Sequence, residues 1–154
     1  MLTLPRSRGW LAVVGVVLAI IGFASWWLGV PSPTISLLSA HLQVREGGPS
    51  LGFAKMPKED ILRIVDREFY IRAKIFSCTK EGDFYPIDLI YDGAAMDDFG
   101  ALSKKLDGYA GKDIDLSFSV PSAITDRYAD RCLRVYGGQM MGVGRVTSNL
   151  VKIR

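Results

Sequence analysis

The sequence predicts an α+β protein: a single N-terminal transmembrane helix, then a small antiparallel sheet or partly closed barrel of the OB type with two inserted helices. Three observations lead there. Residues 10–30 read WLAVVGVVLAIIGFASWWLGV and carry no charge. Beyond them, short runs alternate apolar and polar residues, most clearly Phe69–Cys78 and Asp113–Val120. Between those runs, two stretches place apolar residues at helical rather than strand spacing.

The apolar stretch sets the expected location. At ~1.5 Å per residue it is long enough for a ~30 Å hydrocarbon core, where only a helix or a closed barrel satisfies the backbone. Trp10 at one end and Trp26 and Trp27 at the other fit the headgroup level. Pro31 and Pro33 stop the helix. Arg6 and Arg8 precede the span and no Lys or Arg follows before Arg45, so the positive-inside bias puts the N-terminus in the cytoplasm. The expected layout is a cytoplasmic 1–9, a signal-anchor at 10–30, a juxtamembrane segment and linker at 31–56, and an extracytoplasmic domain at 57–154. The expected location is a bacterial inner membrane, with the bulk of the chain in the periplasm. A cleaved signal peptide competes, with Gly22-Phe23-Ala24 as a small-x-small site. Cleavage there would leave Trp26, Trp27 and Leu28 exposed at a new N-terminus, which favours the uncleaved anchor.

The rest of the chain has globular composition. Hydrophobic residues are 49% and charged residues 23% of the 154, which excludes a disordered or collagen-like chain. All 16 acidic residues lie beyond position 45, and only Arg6 and Arg8 of the 19 basic ones lie before the apolar run. The outer part is therefore nearly neutral, and no nucleic-acid partner is expected. Its charge is segregated. Acids gather between Glu81 and Asp115, whereas residues 131–154 carry Arg131, Arg134, Arg145, Lys152 and Arg154 and no acid.

The elements follow in order. Residues 34–44 suit a first strand or an amphipathic piece near the membrane, and EGGPSLG is a loop. Pro57 opens a helix through Glu68 with Ile61, Leu62 and Val65 on its apolar face, because proline is tolerated in a first helical turn. Phe69–Cys78 is a strand, KEGD a turn, and Pro86–Tyr91 a strand. Asp97 and Asp98 begin a second helix whose stripe is Phe99, Leu102, Leu106 and Tyr109, ended by Gly108 or Gly111. Asp113–Val120 directs Ile114, Leu116, Phe118 and Val120 to one side. Residues 122–131 are irregular or a short helical turn. Arg131–Tyr136 is a strand and GGQ a turn. Met141–Thr147 and Leu150–Ile153 form a hairpin over Ser148-Asn149.

Cys78 and Cys132 are the only cysteines. In an oxidising compartment a pair reads as a disulfide, here between the more polar faces of neighbouring strands. Two cysteines and the lone His41 supply too few ligands for zinc, and His41 as the sole histidine leaves a nucleophilic triad without its usual base. GGQMMGVG lacks the spacing and the lysine of a phosphate loop. Neither a metal nor another cofactor is expected.

Asp88, Asp92, Asp97 and Asp98 fall within eleven positions and form the candidate binding residues. They lack the calcium-loop spacing, and solvated loop acids explain them most simply. Tyr128, Tyr136 and the late arginines offer a surface for a partner or an anionic glycan, although a solvated strand face explains them more simply. The expected function is non-enzymatic: a membrane-anchored protein-binding domain, an accessory subunit of a cell-envelope complex whose partner is another envelope or secreted protein. One alternative is an anchored immunity protein that meets a basic toxin in the periplasm with its acidic region. The other is a small cell-wall hydrolase using the aspartates.

Overall fold

A computed structural model describes residues 13–22, 34–45, 47–139 and 144–154. The chain divides into two compact units, Met1–Pro31 and Ser32–Arg154.

In the first unit residues 13–22 are helical. Here the expectation of a transmembrane anchor is corrected. Among the described residues no helix is long and apolar enough to cross a membrane. Residues 13–22 reach about 15 Å at 1.5 Å per residue, half of a ~30 Å hydrocarbon core. The single-pass inner-membrane location was built on that helix and loses its support with it. Trp10, Trp26 and Trp27, expected at the membrane interfaces, lie outside the described residues.

The second unit is mixed α+β and contains two sheets. Its elements are β1 (Thr34–Ile35), β2 (Ser39–Gln43), β3 (Ser50–Pro57), α1 (Lys58–Asp66), β4 (Phe69–Ser77), β5 (Lys80–Ile87), β6 (Ile90–Tyr91) and β7 (Ala94–Ala95). Then come α2 (Phe99–Asp107), β8 (Asp113–Val120), α3 (Ser122–Arg127), β9 (Arg131–Gln139), β10 (Arg145–Ser148) and β11 (Val151–Lys152). One sheet has the order β1-β10-β9-β4-β5, with β11 also on β9; the other is β2-β3-β8-β6-β7.

Alternation of side chains dictates what each sheet buries. On β4, Phe69, Ile71, Ala73 and Ile75 face inward, and on β9 Leu133 and Val135 do. β3 presents Ala54 and Met56, and β8 presents Ile114, Leu116, Phe118 and Val120. These residues form one cluster, to which α1 adds Ile61, Ile64 and Val65 and α2 adds Leu102 and Leu106. Gly52 and Phe118 are cross-strand partners, and a Cβ on Gly52 would lie 2.0 Å from the Phe118 ring, so the glycine is where that ring rests.

Two seams join the sheets. At one, the chain leaves the first sheet after Ile87, passes Asp88 and Leu89, and enters the second at Ile90, which pairs with Ser117 of β8. At the other, Ile153 bridges Ala40, the Leu42 N–H donates to the Arg154 carbonyl (3.0 Å) and the Arg154 N–H donates to the Ala40 carbonyl (3.1 Å).

Several local expectations change. KEGD is not a turn: the reversal occurs at Cys78-Thr79, and Lys80 already begins β5. GGQ continues β9 as Gly137–Gln139 rather than turning. Ser148-Asn149 is not a hairpin tip, because β10 and β11 both pair with β9. They form one interrupted strand along it, with the register shifted by one residue at the break. The polar side chains there are used. Ser148 Oγ accepts the Val135 N–H (2.9 Å), and Asn149 brackets Leu37, accepting its N–H (2.7 Å) and donating to its carbonyl (2.9 Å).

The expected bridge is present. Cys78 and Cys132 are disulfide-bonded with Cα atoms 5.1 Å apart, at the end of the β4–β9 ladder where Phe76 pairs with Cys132. Replacing both cysteines with serine should lower stability by ~2–4 kcal/mol through restored freedom of the unfolded chain, read as a reduced midpoint in urea unfolding. Gly137→Ala should cost ~1–3 kcal/mol by overpacking. Its Cβ would lie 2.0 Å from the Tyr70 carbonyl oxygen, a backbone atom held in the same ladder. Thermal unfolding of that variant is the check.

Candidate functional site

The four aspartates singled out by the sequence divide once their surroundings are known. Asp92 occupies the turn of the β6–β7 hairpin. Its φ is +46° and that of Gly93 is +80°, and Tyr91 pairs with Ala94 across them. Two successive residues with positive φ are what a tight hairpin needs, and Asp-Gly is a favoured sequence for it. The carboxylate takes the Lys105 ammonium at 2.6 Å, which also donates to the Asp92 carbonyl at 2.7 Å. Asp98 caps α2: its Oδ1 accepts the Ala101 N–H at 3.0 Å. Both residues therefore have architectural work that explains them.

Asp88 and Asp97 differ. They line one cleft of about 500 Å³ together with Tyr70, Ile71 and Arg72 of β4 and Leu89, Ile90, Ala95 and Met96. The cleft exists because of the first seam. β5 pairs with β4 only from Ala73 to Ser77, so beside Phe69–Arg72 the departing chain leaves a gap. Those β4 residues retain their ladder to β9 on the other side. Across the gap stands β7, the end strand of the second sheet. Two strand edges thus flank one opening.

Its lining is mainly apolar, with charge at the rim. Leu89 and Met96 are buried in the floor, whereas Tyr70 and Ile90 remain 36% and 39% exposed. Asp88 Oδ1 receives Arg72 Nε at 3.1 Å in an exposed ion pair, a geometry that contributes little to stability. Asp97 is exposed and forms no ion pair or hydrogen bond with a described residue. Of the four aspartates, it alone presents an uncompensated charge at the cleft.

Nearby, the Tyr91 hydroxyl is pushed above its ordinary value of 10.0, first by burial and then by Tyr109 and Asp92, with Lys105 acting the other way. The ring meets Tyr109 edge-on at 6.3 Å between centroids. Among the described residues no group of three His, Cys, Asp or Glu is placed to hold a metal ion. His41 stacks on Phe53 at 5.1 Å and lines a separate shallow hollow with Lys55 and Asp115.

Tyr70, Arg72, Ile90 and Met96 were missed by sequence reasoning. The signal that leads to them is the Asp92-Gly93 dipeptide. Read as a tight hairpin, it ends the preceding strand early and moves β6 and β7 away from β5. Asp98→Ala should cost about 1 kcal/mol by loss of the cap while leaving the cleft intact. Far-UV circular dichroism during urea unfolding measures that loss.

No protein-family model matches the chain, and neither a curated protein nor a solved structure matches it, so the chemistry of the cleft alone carries the functional reading.

Proposed function

We propose that residues 34–154 form a protein-binding domain that takes an extended segment of a partner into the cleft between β4 and β7. The observation that carries this reading is the open edge of β4 at Phe69–Arg72, facing an apolar cleft with exposed Tyr70 and Ile90 at its rim. A strand edge offers backbone N–H and C=O groups to an incoming strand, and pockets beside it select alternate side chains. Leu89, Ile90 and Met96 favour apolar groups at those alternate positions, and Asp97 favours a Lys or Arg at the rim. The disulfide fits a site of action in an oxidising compartment.

This is the accessory-subunit reading, without the membrane anchor. The toxin-neutralising alternative relied on a concentrated acidic surface. It is less well supported, because Asp88, Asp92 and Asp98 are engaged within the domain. No specific observation favours a hydrolase.

Panning a displayed library of random heptapeptides on the immobilised full chain tests the proposal. Selected peptides should alternate apolar residues, carry a Lys or Arg, and slow hydrogen exchange at residues 70–72. Ile90→Asp should weaken them at least about tenfold, since burying an isoleucine contributes ~1.5–3 kcal/mol. Lys152→Ala, on a different surface, should not. Peptides that bind wild type and Ile90→Asp equally would sink the proposal.

A further inference from the structure

One proline fixes which groups the open edge of β4 presents. Lys74 lies opposite Pro86 of β5. Proline has no N–H, so this pair is not a hydrogen-bonded one; its neighbours in the ladder, Ala73 with Ile87 and Ile75 with Tyr85, are. Odd residues of β4 therefore turn their N–H and C=O groups toward the β5 side, and even residues turn theirs toward β9. The far side of β9 agrees. Its odd residues Val135 and Gln139 donate away from β4, to Ser148 Oγ (2.9 Å) and the Gly144 carbonyl (3.3 Å). Past the end of β5, the groups that face the cleft belong to Phe69 and Ile71. Among the described residues no backbone hydrogen bond takes them up on that side. Ile71 borders the cleft although its side chain is in the core, so what it brings there is backbone.

The β6–β7 hairpin frames the other side. It leaves the seam at Ile90, turns at Asp92-Gly93 and comes back, since Ile90 lies opposite Ala95. Asp88 before the hairpin and Asp97 after it therefore stand at the seam end of the cleft that both line. At this same end Ile87 already fills the place opposite Ala73. Asp88 holds Arg72, whereas Asp97 has no ion pair with a described residue, so the charge at the closed end is negative.

Given capture of an extended segment in the cleft, on which this rests, we propose that the segment is the free N-terminus of a partner chain, added antiparallel to β4 with its α-ammonium on Asp97. Three constraints select that end. A strand added beside Phe69–Arg72 lies in line with β5, and Ile87 occupies the next position, so the added strand ends at the seam. Antiparallel pairing, the more stable kind, makes that end its N-terminus. The charge agrees: Asp97 attracts an ammonium, whereas a parallel strand would bring a C-terminal carboxylate against two aspartates. A lysine side chain carries the same charge but gives no reason for the strand to end. The residues opposite Ile71 and Phe69 point the same way as those two, toward the apolar floor of Leu89 and Met96.

Three synthetic heptapeptide libraries test this by capture on the immobilised full chain, with mass spectrometry of what is retained. The first has free N-termini and omits Lys and Arg. The second is the same library acetylated, and the third is acetylated and includes Lys and Arg. The first should be retained at least about tenfold better than either other, because only it carries the ammonium at the start of the strand. Amidating its C-termini should change nothing. Asp97→Asn should lower its retention about tenfold, and Lys152→Ala should leave it unchanged. Within residues 70–72, the amide whose hydrogen exchange slows should be that of Ile71. Retention of either acetylated library as strongly as the first, or indifference to Asp97→Asn, overturns the N-terminal assignment while peptide capture stands. Sensitivity to amidation in place of acetylation makes the strand parallel and overturns it too. Retention of no library overturns both this proposal and the peptide-binding reading.

Discussion

The pairing of β4 with β9 is the constraint on which the rest of the domain depends. Nine consecutive residues of each strand are in register, from Phe69 opposite Gln139 to Ser77 opposite Arg131. The two strands are far apart in sequence, so bringing them together is entropically costly. The Cys78–Cys132 bridge fixes the ladder at one end, and the close approach of Gly137 to the Tyr70 carbonyl marks its other half. A slip of β4 by one residue would exchange its two faces. Phe69, Ile71 and Ile75 would go to water, and Arg72 and Lys74 would enter the core.

The cleft follows from the length of that ladder. β4 runs its full length against β9 but meets β5 over only its second half. Had β5 continued, it would have covered Phe69–Arg72. It leaves instead because Leu89 is drawn into the common core and Ile90 joins β8. A barrel wall that closed here would have no opening; one that crosses between sheets leaves β4 and β7 unpaired toward each other. Asp92 and Gly93 then hold β7 in place through their backbone geometry, reinforced by Lys105.

Much of this was legible wherever one periodicity dominated. DIDLSFSV alternates without interruption and is β8; Leu102 and Leu106 sit at helical spacing in α2 behind the Asp98 cap. The α1 face was readable in Ile61 and Val65, although Ile64 is its third buried apolar residue rather than Leu62. The cysteine pair was readable from number and alternation. Errors fell where tertiary pairing overrode local turn chemistry. Gly137 and Gly138 resemble a turn but lie within β9, because one packs against the Tyr70 backbone and the other beneath the Gly144 carbonyl and the Tyr70 hydroxyl. Ser148-Asn149 resembles a hairpin tip, but its polar side chains instead bind Val135 and Leu37 across the fold. Residues 10–30 were read as a span from their length, their apolarity and the flanking Trp, Pro and Arg residues, whereas among the described residues no helix is long and apolar enough to cross a membrane. For the aspartates, spacing in sequence carried no information about direction, and four neighbours became a turn, a cap and two rim residues.

The same strand serves core, edge and outer face, and its two sides contribute unequally to stability. Odd residues of β4 fill the core, and their burial contributes on the order of 1.5–3 kcal/mol for each large side chain. The even residues Tyr70 and Arg72 are substantially exposed, and the Arg72–Asp88 pair that joins the two surfaces is 55% and 77% exposed at its side chains. An ion pair so hydrated adds little to folding. It can therefore open without loosening the sheet beneath, whose ladder to β9 is independent of it. The exposed polar side chains of β4 are thus ones that the fold does not require, while the backbone that positions them is among the most strongly determined parts of the molecule.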